Sequence, residues 1–141
     1  MIQRIQSLYL LVGSLLVGAL FALEAVWQTL ASLPAARWAA LALAGLTIVL
    51  GVVAIFRYQD RSQQRRLILF VQIGAILTML ALGGGLYLAG GTGVWIDTAG
   101  GADVVHVLGV ALPIVAYLLF YLARRGVEKD IALVRSMDRL R

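Results

Sequence analysis

The sequence predicts an all-α integral membrane protein: a four-helix bundle, N-in/C-in, with a short cytoplasmic amphipathic helix at its C-terminal end. Three observations support this fold class. Of the 141 residues, 62% are hydrophobic and 13% are charged, whereas a soluble domain has about 45–50% apolar and about 25% charged residues. Four apolar runs approach or exceed the length that crosses a bilayer. The basic residues gather in alternate connections between these runs.

The four apolar runs define the predicted helices and one bundle domain, residues 1–125. A spanning helix needs about 20 predominantly apolar residues, and the last three runs reach this length without an Asp, Glu, Lys or Arg. The first run is shorter, but Ile5 and Gln6 can extend it at the interface. The predicted helices cover approximately residues 5–23, 38–58, 66–89 and 104–124.

The distribution of Lys and Arg predicts the orientation. Eleven of the twelve basic residues lie in the N-terminal segment, the second connection or the C-terminal tail, and only Arg37 lies in the opposite connections. Short cytoplasmic segments carry the excess of Lys and Arg. Both termini are therefore expected in the cytoplasm.

The tail, residues 126–141, has a helical pattern of its own. Val127, Ile131 and Val134 recur at helical spacing among charged residues, which predicts an amphipathic helix after Gly126. So short a helix is marginal alone in water, so it should dock onto its own bundle, lipid headgroups or another protein. Together with the arginines of the second connection, the tail forms a candidate interaction surface: Arg57, Arg61, Arg65, Arg66, Val127, Ile131, Val134, Arg135, Asp138 and Arg139.

A second, weaker candidate is a polar site at the opposite end of the bundle. Glu24, Asp97, Asp103 and His106 could line an outer vestibule, and the last three of them could bind a proton or a metal ion. The alternative is structural: Asp103 is placed to cap the last helix, and His106 lies in the interfacial zone. No spacing indicates a catalytic, cofactor-binding or metal site, and the chain contains no cysteine. We therefore expect neither an enzyme nor a cofactor.

Small residues recur at four-residue spacing within the apolar runs. Ser14, Gly18 and Ala22 form one such stripe, and Gly74 with Thr78 forms another. Because helices in lipid associate through close backbone approach, these stripes predict contacts within the bundle, or between copies of the chain.

Three polar stretches carry a resemblance to a known family. The opening MIQRIQSLYLL, the central FRYQDRSQQRRL and the closing EKDIALVRSMDRLR resemble the signature stretches of a family of small four-helix membrane proteins from Bacteroidota, domain-of-unknown-function family 4293. The resemblance spans essentially the whole chain. It implies a location in the bacterial inner membrane and implies no particular activity.

These observations favour a non-enzymatic accessory or assembly subunit that contacts a protein partner, or a second copy of itself, through its basic cytoplasmic face. The alternative is a small oligomeric transporter or channel. Lipids with anionic headgroups are expected neighbours of the basic residues. Nucleic acid is not, because the basic residues flank apolar runs and do not form one water-facing patch.

Overall fold

The computed structural model describes residues 2–57, 59–96, 100 and 103–138, and the side chains of these residues from 5 to 136. Five α-helices follow one another along the chain. They are α1 (Ile2–Ala19), α2 (Glu24–Thr29), α3 (Pro34–Phe56), α4 (Arg61–Gly90) and α5 (Val104–Asp138), with 3₁₀ turns at Leu20–Ala22, Leu30–Ser32 and Gly91–Trp95.

Four of these helices pack side by side as a bundle. Helix α1 packs against α3 and α5, and α4 packs against the same two helices, so α1 and α4 lie diagonally opposite. Contacts at both ends of α5 show that it runs antiparallel to α1: Gln6 meets Asp130 at one end, and Thr29, beyond α1, meets His106 at the other. This places the start of α1, the α3–α4 connection and the end of α5 at one end of the bundle.

The bundle interior is built from aliphatic side chains and small residues. Leu10, Val17, Ile68 and Leu82 are fully buried, as are several alanines of α3, α4 and α5. One member of each predicted small-residue stripe, Ser14 and Gly74, makes a close contact inside the bundle, whereas Ala22 is exposed. A Cβ added at Gly51 would collide with the hydroxyl of Ser14. A Cβ at Gly74 would likewise collide with the hydroxyl of Thr47.

Helices α1, α3, α4 and α5 each contain a span long and apolar enough to cross a membrane. Large apolar side chains cover the outside of the bundle, among them Leu15 on α1, Val49 on α3, Leu80 on α4 and Leu118 on α5, each at least half exposed. An apolar surface of this extent is suited to lipid rather than water. The chain is therefore a multi-pass membrane protein, as predicted.

The last spanning helix and the predicted tail helix form one continuous element. Helix α5 continues through Gly126 to Asp138, so the predicted boundary at Gly126 is not an element boundary. Packing explains the continuity. A Cβ at Gly126 would lie 2.7 Å from Cγ of Gln6 on α1, and Val127 beside it is buried. The bundle thus supports the tail along its first turns.

The first connection is a packed helical segment instead of an open loop. Val26 and Leu30 of this segment are fully buried, and Trp27 is only 7% exposed. The indole Nε1 of Trp27 donates a hydrogen bond of 2.8 Å to the carbonyl oxygen of Leu20, and its ring stacks against Phe21. Helix α2 therefore closes one end of the bundle over the start of α5.

Candidate functional site

A basic groove lies at the end of the bundle that carries the start of α1. It has a volume of about 470 Å³ and lies between the first turns of α4 and the last turns of α5. We call it the arginine groove. It is lined by Arg61, Ser62, Arg65, Arg66, Ile131, Val134 and Arg135.

Helical spacing and an N-cap position the α4 side of the arginine groove. Asp60 caps α4, because its Oδ1 accepts hydrogen bonds of 3.1 Å from the backbone N–H groups of both Ser62 and Gln63. Arg61 and Arg65 follow at i and i+4, which places them on one face of the helix. The buried amide of Gln64 faces the other way and donates a 3.1 Å hydrogen bond to the carbonyl oxygen of Ala54 on α3.

A buried carboxylate fixes the α5 side of the groove. Asp130 is 8% exposed, and its Oδ2 accepts a 3.0 Å hydrogen bond from Nε2 of Gln6. Its backbone carbonyl oxygen accepts a 3.5 Å hydrogen bond from Nη1 of Arg61. Asp130 thereby links α5 to both α1 and α4. Sequence reasoning missed this link, since a lone Gln and a lone Asp 124 residues apart carry no local signal.

The arginine groove concentrates positive charge. Among the described side chains the ion pairs are Arg124 with Glu128 and His106 with Asp103, so none of the four groove arginines is paired with a carboxylate. Ile131 is half-buried and Val134 is 43% exposed, and both contribute an aliphatic wall. The groove therefore combines guanidinium donors with an apolar surface, which suits an acidic ligand that also carries apolar groups.

The structure groups six of the ten residues predicted for the interaction surface in this groove: Arg61, Arg65, Arg66, Ile131, Val134 and Arg135. Val127 was placed wrongly on that surface, because it is 1% exposed and packs inside the bundle. Arg57 lies outside the arginine groove, in a smaller groove between α3 and α4. Asp138 ends α5 with its side chain outside the described residues, and Arg139 also lies outside them.

At the opposite end of the bundle, Asp103 caps α5, as predicted. Its Oδ1 accepts backbone hydrogen bonds from Val105 at 3.1 Å and from His106 at 3.2 Å. Its Oδ2 lies 2.9 Å from Nδ1 of His106. His106 is 8% exposed, and its Nε2 lies 2.9 Å from Oγ1 of Thr29 on α2. The three side chains therefore tie α2 to the start of α5.

The order carboxylate, imidazole, hydroxyl is that of a hydrolase triad, but the hydrogen bonds favour a structural link. The hydroxyl of Thr29 donates a 3.0 Å hydrogen bond to the carbonyl oxygen of Ala25 one turn earlier. The same hydroxyl lies 2.9 Å from Nε2 of His106, so it is held between its own helix and the start of α5. This contact joins α2 to α5.

Glu24, the other described residue predicted for the polar site, is not part of this link. Glu24 begins α2 and is exposed, and its Oε1 accepts a 2.9 Å hydrogen bond from Gln28. Asp97 lies outside the described residues. Within the described part of the chain, no group of three or more His, Asp or Glu side chains is arranged to hold a metal ion.

The cap at Asp103 predicts a pH dependence of stability. The His106 side chain beside it, helped by the backbone N–H of His106, holds the pKa of Asp103 below its ordinary value. A carboxylate with a lowered folded-state pKa stabilises the fold above its unfolded pKa, and this contribution disappears as the pH falls through the folded pKa. Asp103→Ala should therefore lower the thermal midpoint in detergent near neutral pH, and the difference from wild type should narrow below about pH 4.

Ser32→Ala is the matched control for this pH profile, because Ser32 is exposed, does not titrate, and donates a hydrogen bond to the carbonyl oxygen of Thr29. Its melting profile should follow the wild-type profile at every pH. A difference between wild type and Asp103→Ala that stayed constant from neutral to strongly acidic pH would contradict a contribution from the ionised carboxylate.

Comparison with known proteins identifies the family of the chain. Residues 2–140 match the family model described as a domain of unknown function, DUF4293. The chain matches no curated protein and no solved structure. The match covers nearly the whole chain, including both walls of the arginine groove, and the chain belongs to the DUF4293 family.

Proposed function

We propose that this protein is a non-enzymatic accessory or assembly subunit of the bacterial inner membrane. In this function the four spanning helices anchor the chain, and the arginine groove binds an acidic segment of a larger membrane complex. The observation that carries the proposal is the set of four arginines, unpaired among the described side chains, beside the aliphatic wall of Ile131 and Val134.

The proposed orientation places the arginine groove in the cytoplasm. The groove is at the end of the bundle where α1 begins, and nine of the ten basic residues in the described part of the chain belong to segments at that end. Basic residues in short connections are retained on the cytoplasmic side during insertion. The N-in/C-in arrangement follows if that rule governs this chain.

An acidic, partly apolar protein segment is the ligand that fits the groove chemistry. Arginine presents several N–H donors in a planar fork and pairs well with carboxylates. Ile131 and Val134 offer a surface for apolar side chains of the same segment. A bound segment of this kind would neutralise guanidinium groups that have no carboxylate partner among the described residues.

The test is charge reversal in the groove. The double variant Arg65→Glu, Arg135→Glu should lose the stoichiometric partner that wild-type protein retains when purified in mild detergent from native membranes. Electrostatic complementarity across an interface increases both the association rate and the specificity, so reversing two charges should weaken binding. Mass spectrometry of the retained proteins and light scattering of the purified complex would identify the partner and separate it from self-association.

The double variant Arg125→Glu, Lys129→Glu is the matched control. Both residues are exposed and basic, both lie in the C-terminal half of α5 as Arg135 does, and neither lines the arginine groove. The control variant should retain the partner. Loss of the partner in both double variants would indicate general charge attraction, and retention in both would contradict docking in the arginine groove. Because the chain has no cysteine, single cysteines at Ser62 and Thr92 can report the orientation of each variant.

A further inference from the structure

A second groove lies between the end of α3 and the start of α4. Its volume is about 230 Å³, and it is lined by Val53, Arg57, Gln63, Arg66 and Leu67. We call it the hairpin groove. Only Arg66 also lines the arginine groove.

The polar lining of the hairpin groove consists of hydrogen-bond donors. Nη1 of Arg57 donates a 3.2 Å hydrogen bond to Oε1 of Gln63, which occupies the amide oxygen and positions both side chains. The other N–H groups of Arg57, the guanidinium of Arg66 and the amide nitrogen of Gln63 remain for a ligand. The nearby carboxylate of Asp60 is directed to the backbone N–H groups of Ser62 and Gln63 and does not line the groove.

The lining residues follow a fixed order across the membrane boundary. Val53 lies within the apolar span of α3, and Leu67 begins the apolar part of α4. Arg57 directly follows the α3 span, and Gln63 lies in the first turn of α4. A phospholipid has the same order, with acyl chains in the hydrocarbon region and the phosphate at its edge.

The apolar side of the groove opens outward, toward lipid. Val49, Val53 and Phe56 share one face of α3 and are 59%, 37% and 74% exposed. A ligand that fills the groove must therefore meet two requirements. Its apolar part must pack against a lipid-facing helix surface, and its anionic group must reach two guanidinium groups. A soluble anion satisfies only the second requirement.

We propose that the hairpin groove is a binding site for an anionic phospholipid, with the headgroup phosphate held by Arg57, Arg66 and the Gln63 amide, and an acyl chain against Val53 and Leu67. The proposal does not require a protein partner, and Arg66 is the lining residue that the two grooves share. The occupant of the site is a component of the bilayer, and two of the three polar residues of the site lie outside the arginine groove.

The experiment uses the full chain in detergent micelles, titrated with phosphatidylglycerol or phosphatidylcholine and followed by native mass spectrometry. Wild-type protein should retain phosphatidylglycerol about tenfold better than phosphatidylcholine, since the choline cation of phosphatidylcholine is repelled by the two guanidinium groups, whereas the glycerol headgroup carries no positive charge. Arg57→Gln and Gln63→Leu should each reduce this preference several-fold. Soluble glycerol 3-phosphate should fail to displace the bound lipid.

Arg65→Gln is the matched control. Arg65 is an exposed arginine next to Arg66 on α4, and it lines the arginine groove but not the hairpin groove. It should keep the wild-type lipid preference. If Arg65→Gln and Arg57→Gln reduced the lipid preference equally, diffuse charge attraction would explain the preference, and the proposed site would be wrong. Absence of a preference in wild-type protein, or displacement by glycerol 3-phosphate, would overturn it as well. None of these readouts requires a protein partner, so failure here is distinct from failure of the docking proposal.

Discussion

Replacing Gly13 by leucine should severely destabilise the bundle. A Cβ at Gly13 would lie 2.5 Å from Cε1 and 2.9 Å from Cζ of Phe120, and Phe120 is the largest fully buried side chain of the described core. Inserting extra methylenes into a packed core costs about 1–3 kcal/mol, and leucine adds a whole branched side chain. We expect a loss in the free energy of unfolding of at least about 3 kcal/mol, because α1 must separate from α5.

Titration of the protein in mixed micelles with a denaturing detergent would measure this loss as a lower midpoint of unfolding. Gly45→Leu is the matched control, because nothing lies within 4 Å of a Cβ at Gly45. It should unfold close to wild type. Phe120→Ala introduced together with Gly13→Leu should recover part of the loss, since it removes the ring that the new side chain meets. Equal midpoints for the two leucine variants would contradict the packing of Phe120 on Gly13.

Replacing Gln6 by leucine should also destabilise the bundle, through a different mechanism. Leucine removes the 3.0 Å hydrogen bond that Gln6 donates to Oδ2 of Asp130, and Asp130 is 8% exposed. Leaving a buried polar group without its partner costs about 1–3 kcal/mol, and more when the group is charged. The same detergent titration should show a clear decrease in the midpoint, accompanied by faster proteolysis of the end of α5.

The double variant Gln6→Leu, Asp130→Leu tests the reason for that decrease. Replacing both partners by apolar groups of similar size can be nearly neutral, so the second substitution should restore much of the stability. Gln28→Leu is the matched control, because it removes a similar amide-to-carboxylate hydrogen bond, 2.9 Å long, from an exposed pair. It should change the midpoint little. If Asp130→Leu failed to restore stability to Gln6→Leu, the buried hydrogen bond would not be the cause.

The features that could be predicted from the sequence are those set by composition over many residues. Each spanning helix follows from about 20 consecutive apolar residues, because the bilayer core admits backbone only when its hydrogen bonds are satisfied. The cap at Asp103 could be predicted for a local reason, since an Asp placed just before an apolar run accepts the free N–H groups of the helix. The basic surface could be predicted in part, because Arg61 and Arg65 are one helical turn apart.

The features that could not be predicted depend on which helices are neighbours. The order of helices around the bundle decides that Gln6 reaches Asp130 and that Thr29 reaches His106, and hydrophobic periodicity does not encode that order. The continuity of α5 was hidden by Gly126, a residue that usually weakens a helix. Here the absence of its side chain makes room for Gln6. The burial of Val127 could not be predicted for the same reason, because it depends on which helix packs beside this part of α5.

The continuity of α5 also means that a single helix joins the two ends of the bundle. His106 at one end and Arg135 at the other are 29 residues apart on a single helix, which corresponds to about 44 Å along its axis. That distance exceeds the hydrocarbon thickness of about 30 Å. One helix therefore carries the link to Thr29 at one end of the bundle and a wall of the arginine groove at the other, on opposite sides of the hydrocarbon region.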